Sequence, residues 1–302
     1  MSDVLIRASS FVAVILLGFF LRRIGLFKQS DFSVLSKVVL KITFPAAVIS
    51  SFAGRQIDLS MLSLIVLSIA CGLVYMAVSV ILHHRAPKEQ RAFVLLNLSG
   101  YNIGNFTMPF VQSFLGPIGV ITTGIFDIGN AVITLGGAFG VASSIHSGAK
   151  FSVKRIVKAL LSSVPFVTYC LMLILSVANI QLPAVLTELV GVIGNANPFM
   201  AMFMIGVGFQ LGGEKEQIGK IIRLLLIRYG IATALALLCW FVLPFSLEIR
   251  QVLVILVFSP IPSIVPAYTE ELHGDVGLSS AFNSVAILVS IVIDVVLLSV
   301  MV

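Results

Sequence analysis

The sequence predicts an all-α polytopic membrane protein. It reads as ten transmembrane helices in two inverted five-helix repeats, with broken, crossing helices 4 and 9. Three observations predict this. Apolar residues make up 59% of the 302-residue chain and charged residues 11%, against roughly 45–50% and ~25% in a soluble domain. Continuous apolar runs of about 20 residues, the length a helix needs to cross a ~30 Å hydrocarbon core, recur along the chain. Two of those runs are interrupted by proline and polar residues at corresponding places, about 158 residues apart. The runs are continuous rather than alternating, which excludes β-barrel spans.

In chain order the first five spans fall at 4–21, 32–52, 60–82, 92–115 and 118–144. The second five fall at 155–177, 185–211, 219–244, 250–272 and 277–301. Span 1 is short, but Arg22 and Arg23 follow its apolar run and no small-residue cleavage motif appears. It reads as a retained helix, not a signal peptide. Residues 1–148 form the first repeat and 149–302 the second. An odd number of spans per repeat inverts the second relative to the first.

Lys and Arg set the orientation. Arg22, Arg23 and Lys28 follow span 1, and Arg85, Lys88 and Arg91 follow span 3. Lys150, Lys154 and Arg155 follow span 5, and Lys215, Lys220 and Arg223 follow span 7. The other side shows only Arg7, Arg55 and Arg250. The positive-inside rule then places both termini outside the cytoplasm. The loop with Glu270, Glu271, His273 and Asp275 has no Lys or Arg and dissents. The +6 net charge is thus a topology signal. Its scatter over separate loops argues against nucleic-acid binding; the chain's medium is the lipid bilayer.

The two interrupted runs carry the functional signal. The first reads Asn102-Ile-Gly104-Asn105-Phe-Thr107-Met-Pro109, followed by Gly116 and Gly119. The second reads Ser259-Pro260-Ile-Pro262-Ser263-Ile-Val-Pro266, followed by Gly274 and Gly277. Paired interruptions in two halves point to a secondary transporter's binding site. Asn105 or Thr107 is the expected cap of one half-helix, and Ser259 or Ser263 of the other. Each half-helix N-terminus carries about +0.5 of an elementary charge, which favours an anion. Plain proline kinking of two membrane helices is the competing reading.

A charge within a span is costly. Lys41 lies ten residues into span 2, ~15 Å deep, and reads as facing substrate or pairing with a carboxylate. Lys37, a turn earlier, snorkels to the interface. Asp127, in Phe126-Asp127-Ile-Gly-Asn130, is expected to pair with Lys41, orient the broken helix or carry a proton. Asn283 stands near Asp127's repeat position. Asp294 is expected to reach interfacial water. Cys71, Cys170 and Cys239 are isolated and read as packing residues. His83, His84, His146 and His273 lack ligand spacing and read as solvated. No metal site or cofactor is expected. The spacings Gly100/Gly104 and Gly136/Gly140 permit close helix approach, within the chain or across a homodimer.

Several segments together resemble the auxin efflux carrier family of membrane transporters. They are Leu17-Gly18-Phe-Phe-Leu-Arg22-Arg23-Ile-Gly25-Leu and Leu35-Ser-Lys…Phe44-Pro45-Ala-Ala, then Asn102-Ile-Gly104 with Pro109 and Gly116. Phe126-Asp-Ile-Gly-Asn130, Gly194-Asn195-Ala-Asn-Pro198 and Pro262-Ser263 complete the series. The resemblance covers essentially the whole chain. It implies the fold of bile-acid sodium symporters, with a scaffold of helices 1, 2, 6 and 7 and a transport domain of helices 3–5 and 8–10. It implies organic-anion substrates such as malate, malonate or auxin-like acids. The short loop between spans 5 and 6 implies a bacterial-type member in the inner membrane. Lys41 departs from the aromatic or apolar residue usual there, and Ser259-Pro260-Ile-Pro262 is richer in proline.

These features favour a secondary carrier working by alternating access, with a passive anion channel or a non-transporting sensor or scaffold as alternatives. No nucleophile–base or metal constellation points to an enzyme. No Gly-x-x-x-x-Gly-Lys-[Ser/Thr] motif is present, so a gradient of Na⁺, H⁺ or the substrate itself must supply energy.

Overall fold

The computed structural model describes residues 2–209 and 217–301. Lys215 and the last residues of the seventh predicted span lie outside that set. The described residues are helical and contain no strand. Helix α1 is Ser2–Arg23. Helices α2 (Asp31–Phe52) and α3 (Leu59–Leu82) follow. Then come α4 (Lys88–Leu98), α5 (103–114) and α6 (Gly116–Ser147).

The second half runs α7 (Val153–Ser162), α8 (Val164–Val177), α9 (Ala184–Gly208) and α10 (Ile218–Phe241). It ends with α11 (Leu247–Val257), α12 (Val265–Glu271) and α13 (Val276–Met301). Six of these (α2, α3, α6, α9, α10 and α13) are long and apolar enough to cross a membrane, and α7 with α8 makes a seventh bent span. Many large apolar side chains on their outer faces are exposed, among them Leu171, Ile174, Val192, Phe241 and Val300. In a bilayer those faces meet acyl chains.

The predicted span 155–177 is not straight. It turns by 80° between α7 and α8. Pro165 lacks the N–H an unbroken helix would use, and the residue before a proline avoids the α region. The Ser163 hydroxyl instead accepts the Phe166 N–H and starts a new helix.

Proline also explains two wider turns. Residues Val39–Thr43 and Ile103–Thr107 are π-helical. Each precedes a proline, Pro45 and Pro109. A proline ring clashes with the carbonyl four residues earlier, here those of Lys41 and Asn105, and the wider turn relieves the clash. A third π turn, Ile133–Gly137, ends on two glycines. All three lie in the first half of the chain.

The interior is one continuous apolar cluster from α1 to α13. Close backbone contact sets the α2–α9 packing. A Cβ at Gly194 would lie 2.7 Å from Ala47 Cα, so only glycine fits there. Asn197, fully buried, accepts the Thr43 hydroxyl at 3.1 Å and donates to Gln112 Oε1 at 3.1 Å. That chain of bonds fastens α5 to α2 and α9. Gly136 and Gly140 lie against Ile156 and Phe151 of the same chain, so these small residues serve internal packing.

Candidate functional site

Both interrupted segments stop being helical at their centres. The first leaves α4 at Leu98 and resumes at Ile103; the second leaves α11 at Val257 and resumes at Val265. Their unwound stretches touch. The Asn102 N–H donates to Pro260 O at 2.9 Å. The Asn102 and Asn105 side-chain amides both donate to Ser263 Oγ, at 2.8 and 3.4 Å. The Thr107 and Ser259 hydroxyls pair in the buried core. Asn105 and Ser263 stand 158 residues apart, as do Asn102 and Pro260.

None of the expected capping bonds forms. Neither half-helix start carries a side-chain cap. The polar side chains reach across the crossing instead, because a bond between the two segments satisfies a donor and an acceptor that a local cap would leave split between them.

Unwound backbone inside a bilayer must find partners within the protein. Here side chains supply them. Asn130 accepts the Tyr101 N–H and donates to the Tyr101 carbonyl, both at 3.0 Å. The Ser290 hydroxyl donates to Phe258 O at 2.6 Å. Arg228, in the middle of α10, is 1% exposed and donates to three more carbonyls. These are Leu98 O at 2.7 Å, Gly100 O at 3.0 Å and Ser259 O at 2.6 Å. Gly100 has φ +83°, and a Cβ there would lie 2.5 Å from Thr134 Oγ1 and 3.1 Å from Pro262 Cγ. Both the backbone and the space demand glycine at that point. Gly104 is less constrained, with the nearest atom to a Cβ being Leu40 Cδ2 at 3.3 Å.

Two cavities abut the crossing and share Asn102, Asn105 and Ser263. The first, about 280 Å³, adds Lys41, Asp127, Asn130 and Tyr169. The second, about 210 Å³, adds Gln29, Pro266, Ser280 and Asn283. All three π turns contribute to the first cavity, through Leu40 and Lys41, Ile103 to Asn105, and Thr134 and Leu135.

Most of the sequence-predicted residues therefore gather in one place. Lys41 is exposed and faces the first cavity. It does not pair with Asp127. Asp127 Oδ1 accepts from Asn130 Nδ2 at 2.8 Å, and the one ion pair among the described residues joins Arg155 to Glu271. Pro109 is buried inside α5, and Pro260 and Pro262 lie in the non-helical stretch. Asn283 lines the second cavity, and its Oδ1 has no partner among the described residues, like Oδ1 of Asn105.

Two further expectations fail. Asp294 does not reach water; it is fully buried, with both carboxyl oxygens unpartnered among the described residues. It lies one turn beyond Ser290 on the face of α13 that Tyr229 of α10 binds. His83 is buried rather than solvated, with Nδ1 3.2 Å from Ser79 O. Sequence reasoning also missed Arg228, although a lone arginine ten residues into a span is visible in the sequence. Cys71 and Cys239 are buried and unpaired, and Cys170 is partly so.

The geometry places polar groups from two broken segments on the walls of two cavities within an apolar helical body. A comparison with known families finds that residues 8–157 match the model described as membrane transport protein. No curated protein matches the chain.

Proposed function

The chain belongs to the membrane transport protein family, that of the auxin efflux carriers, and from that premise we propose that it is a secondary carrier moving a small organic carboxylate by alternating access. It is a multi-pass membrane protein of a transporter family rather than an enzymatic one. The observation that carries the proposal is the Ser263 hydroxyl. It accepts from both Asn102 and Asn105 and donates to nothing among the described residues. A hydroxyl has one donor to give, and this one borders both cavities. A carboxylate there takes a charge-assisted bond, beside the positive ends of α5 and α12. Lys41, with no carboxylate partner among the described residues, adds a charge to the first cavity and suits a second carboxyl group.

Ten spans in two inverted repeats make sense of the contacts at the crossing. Two pairs at the same offset of 158 meet there, as a two-fold axis through the crossing requires. Under this reading α1, α2, α7, α8 and α9 form the scaffold, and α3 to α6 with α10 to α13 the moving part. The lining of the second cavity includes Gln29, Gly208 and Ser280, residues beside the loops assigned to the cytoplasm. With that assignment we read the structure as inward-facing, in a bacterial inner membrane with both termini outside.

Purified protein in liposomes tests the proposal with radiolabelled malonate, malate and indole-3-acetate. A carrier gives saturable uptake and counterflow; a pore gives linear flux without counterflow. Asn105→Leu keeps the chain insertable but removes one amide from the site. It should lower apparent affinity by about tenfold, the size of one charge-assisted hydrogen bond. Unchanged transport at normal expression places the site elsewhere.

A further inference from the structure

Arg228 is the largest fully buried side chain among the described residues, and it faces no carboxylate among them. A guanidinium keeps its charge in any protein. Burying it without an anion costs several kcal/mol unless other groups compensate. The compensation here is specific. Its NH1 and NH2 groups donate to Leu98 O and Gly100 O at the end of α4, and to Ser259 O just past the end of α11. Those are the C-terminal ends of two half-helices, each with about −0.5 of an elementary charge. Together they amount to about one negative charge, and Arg228 supplies one positive charge.

The setting is closely packed. The guanidinium carbon lies 5.2 Å from the Tyr75 ring centre and 5.8 Å from that of Tyr101. Aromatic faces hold a cation well when it is desolvated. The Tyr75 hydroxyl donates to the Arg228 carbonyl at 3.2 Å. The arrangement is also one-sided. Helix α3 precedes the first break as α10 precedes the second, yet it carries no charged residue from Leu59 to Leu82. One cation serves both breaks.

Converging backbone carbonyls from two broken helices are the ligand set that a small monovalent metal cation takes. We infer that the Arg228 guanidinium is the crossing's resident cation: it occupies those carbonyls permanently, positions both breaks, and leaves the crossing with no need of a soluble cation such as Na⁺. It acts through the backbone of the site, as a positioning residue. The negative helix ends are thereby neutralised, and the positive ends of α5 and α12 remain to act on the cavities.

Hydrogen exchange on the detergent-purified full chain tests this without a substrate, so the result stands apart from the carrier reading. In the wild type, replacing choline with Na⁺ should leave exchange at 98–104 and 256–264 unchanged. Na⁺-dependent slowing there would overturn the inference. In Arg228→Met both segments should exchange together, faster by on the order of tenfold or more, while α1 and α9 keep their protection. Arg228→Lys, which keeps the charge but not the three-way reach, should fall between. Arg228→Ala should regain part of its melting temperature with millimolar guanidinium and not with choline. Loosening of one break only, or of all helices equally, would reduce Arg228 to ordinary packing. If neither Met nor Ala variant folds, the wild-type cation comparison decides alone.

Discussion

The two breaks meet as equals in position and as opposites in chemistry. The first, 99–102, reads Ser-Gly-Tyr-Asn and has no proline, and the second, 258–264, contains Pro260 and Pro262. Proline has no N–H, so the second break offers mainly acceptors. The first supplies the donors: the Asn102 N–H to Pro260 O, and the Asn102 and Asn105 amides to Ser263. Their bracing differs in the same way. Asn130 clamps both polar groups of Tyr101, while position 288, the same 158 residues along, is Leu. Gly100 needs φ +83°, whereas Phe258 at the matching place has φ −88°. The first break is held open by the Asn130 clamp and Arg228; the second adds its own covalent rings to the bonds from Ser290 and Arg228. Two breaks that meet at one sequence offset can thus divide donor and acceptor roles between them.

Breaking the side-chain brace should have the largest effect. Asn130→Leu leaves the N–H and C=O of Tyr101 buried without partners, at about 1–3 kcal/mol each. The same change also strips Thr134 and Asp127 of a partner. Thermal unfolding in detergent should show a loss of about 2–6 kcal/mol, with exchange rising first at 99–105. A loss below about 1 kcal/mol would mean that the first break holds itself, and the contrast with the second would collapse.

The electrostatic contrast is next in size. Lys41 lines the first cavity, and the second has no charged residue on its walls among the described residues. Lys41→Ala should weaken malonate binding by roughly tenfold more than indole-3-acetate binding, about 1.4 kcal/mol of extra interaction with a second carboxylate. Asp127 shares the cavity and offsets part of that attraction. Equal losses for both acids would assign Lys41 to the local turn rather than to the ligand.

How much of this can be read from residues alone follows the same division. Proline, glycine and asparagine are local signals, and they mark both breaks and the residues Asn102, Asn105 and Ser263 directly in the sequence. The offset of 158 reappears as real contacts. Bracing is not legible, because Asn130 reaches Tyr101 across 29 positions and Arg228 reaches Leu98 across 130. No period links such partners. Asp294 escapes a sequence reading for a related reason. Depth along a helix can be counted from sequence, but the face a side chain takes depends on which neighbour packs there. The turn at Ser163 is signalled by Pro165 and masked by the apolar run that continues through it.

The prolines themselves test whether ring or bond sets each path. Pro266 opens α12, where a missing N–H costs nothing. Pro266→Ala should cost only about 0.4–1 kcal/mol, through the freer unfolded chain, with transport affinity kept. Pro109 stands inside a helix and forces the wide turn around Asn105. Pro109→Ala lets residue 109 donate to the Asn105 carbonyl and tightens 103–107 toward an α turn. Affinity should fall more than stability does. Similar behaviour of the two variants would show that proline plays the same part in both halves.

The smallest expected effect lies at the far ends of the two broken segments. Arg155 of α7 holds Glu271, the last residue of α12, at 2.8 and 2.9 Å, and stacks over Phe139 at 4.1 Å. Arg7 of α1 reaches only the Ser113 carbonyl near the end of α5, at 3.3 Å. Positions 113 and 271 are again 158 apart. Both latches tie the second half of a broken segment to a helix of the proposed scaffold, one as an ion pair and one through a neutral acceptor. The Arg155–Glu271 pair is half-exposed on both sides, so its worth in stability is about 0.2–1 kcal/mol and shrinks with salt. A double-mutant cycle with Arg155→Gln and Glu271→Gln, read by melting at low and high ionic strength, should give a coupling in that range that fades as salt rises. Arg7→Gln should show no salt dependence. If the ion pair also closes one side of the transport cycle, its removal should change the rate of counterflow more than the melting temperature, and Arg7→Gln should not. Equal effects of both arginines on counterflow would mean that the two ends, unlike the two breaks, have kept the same role.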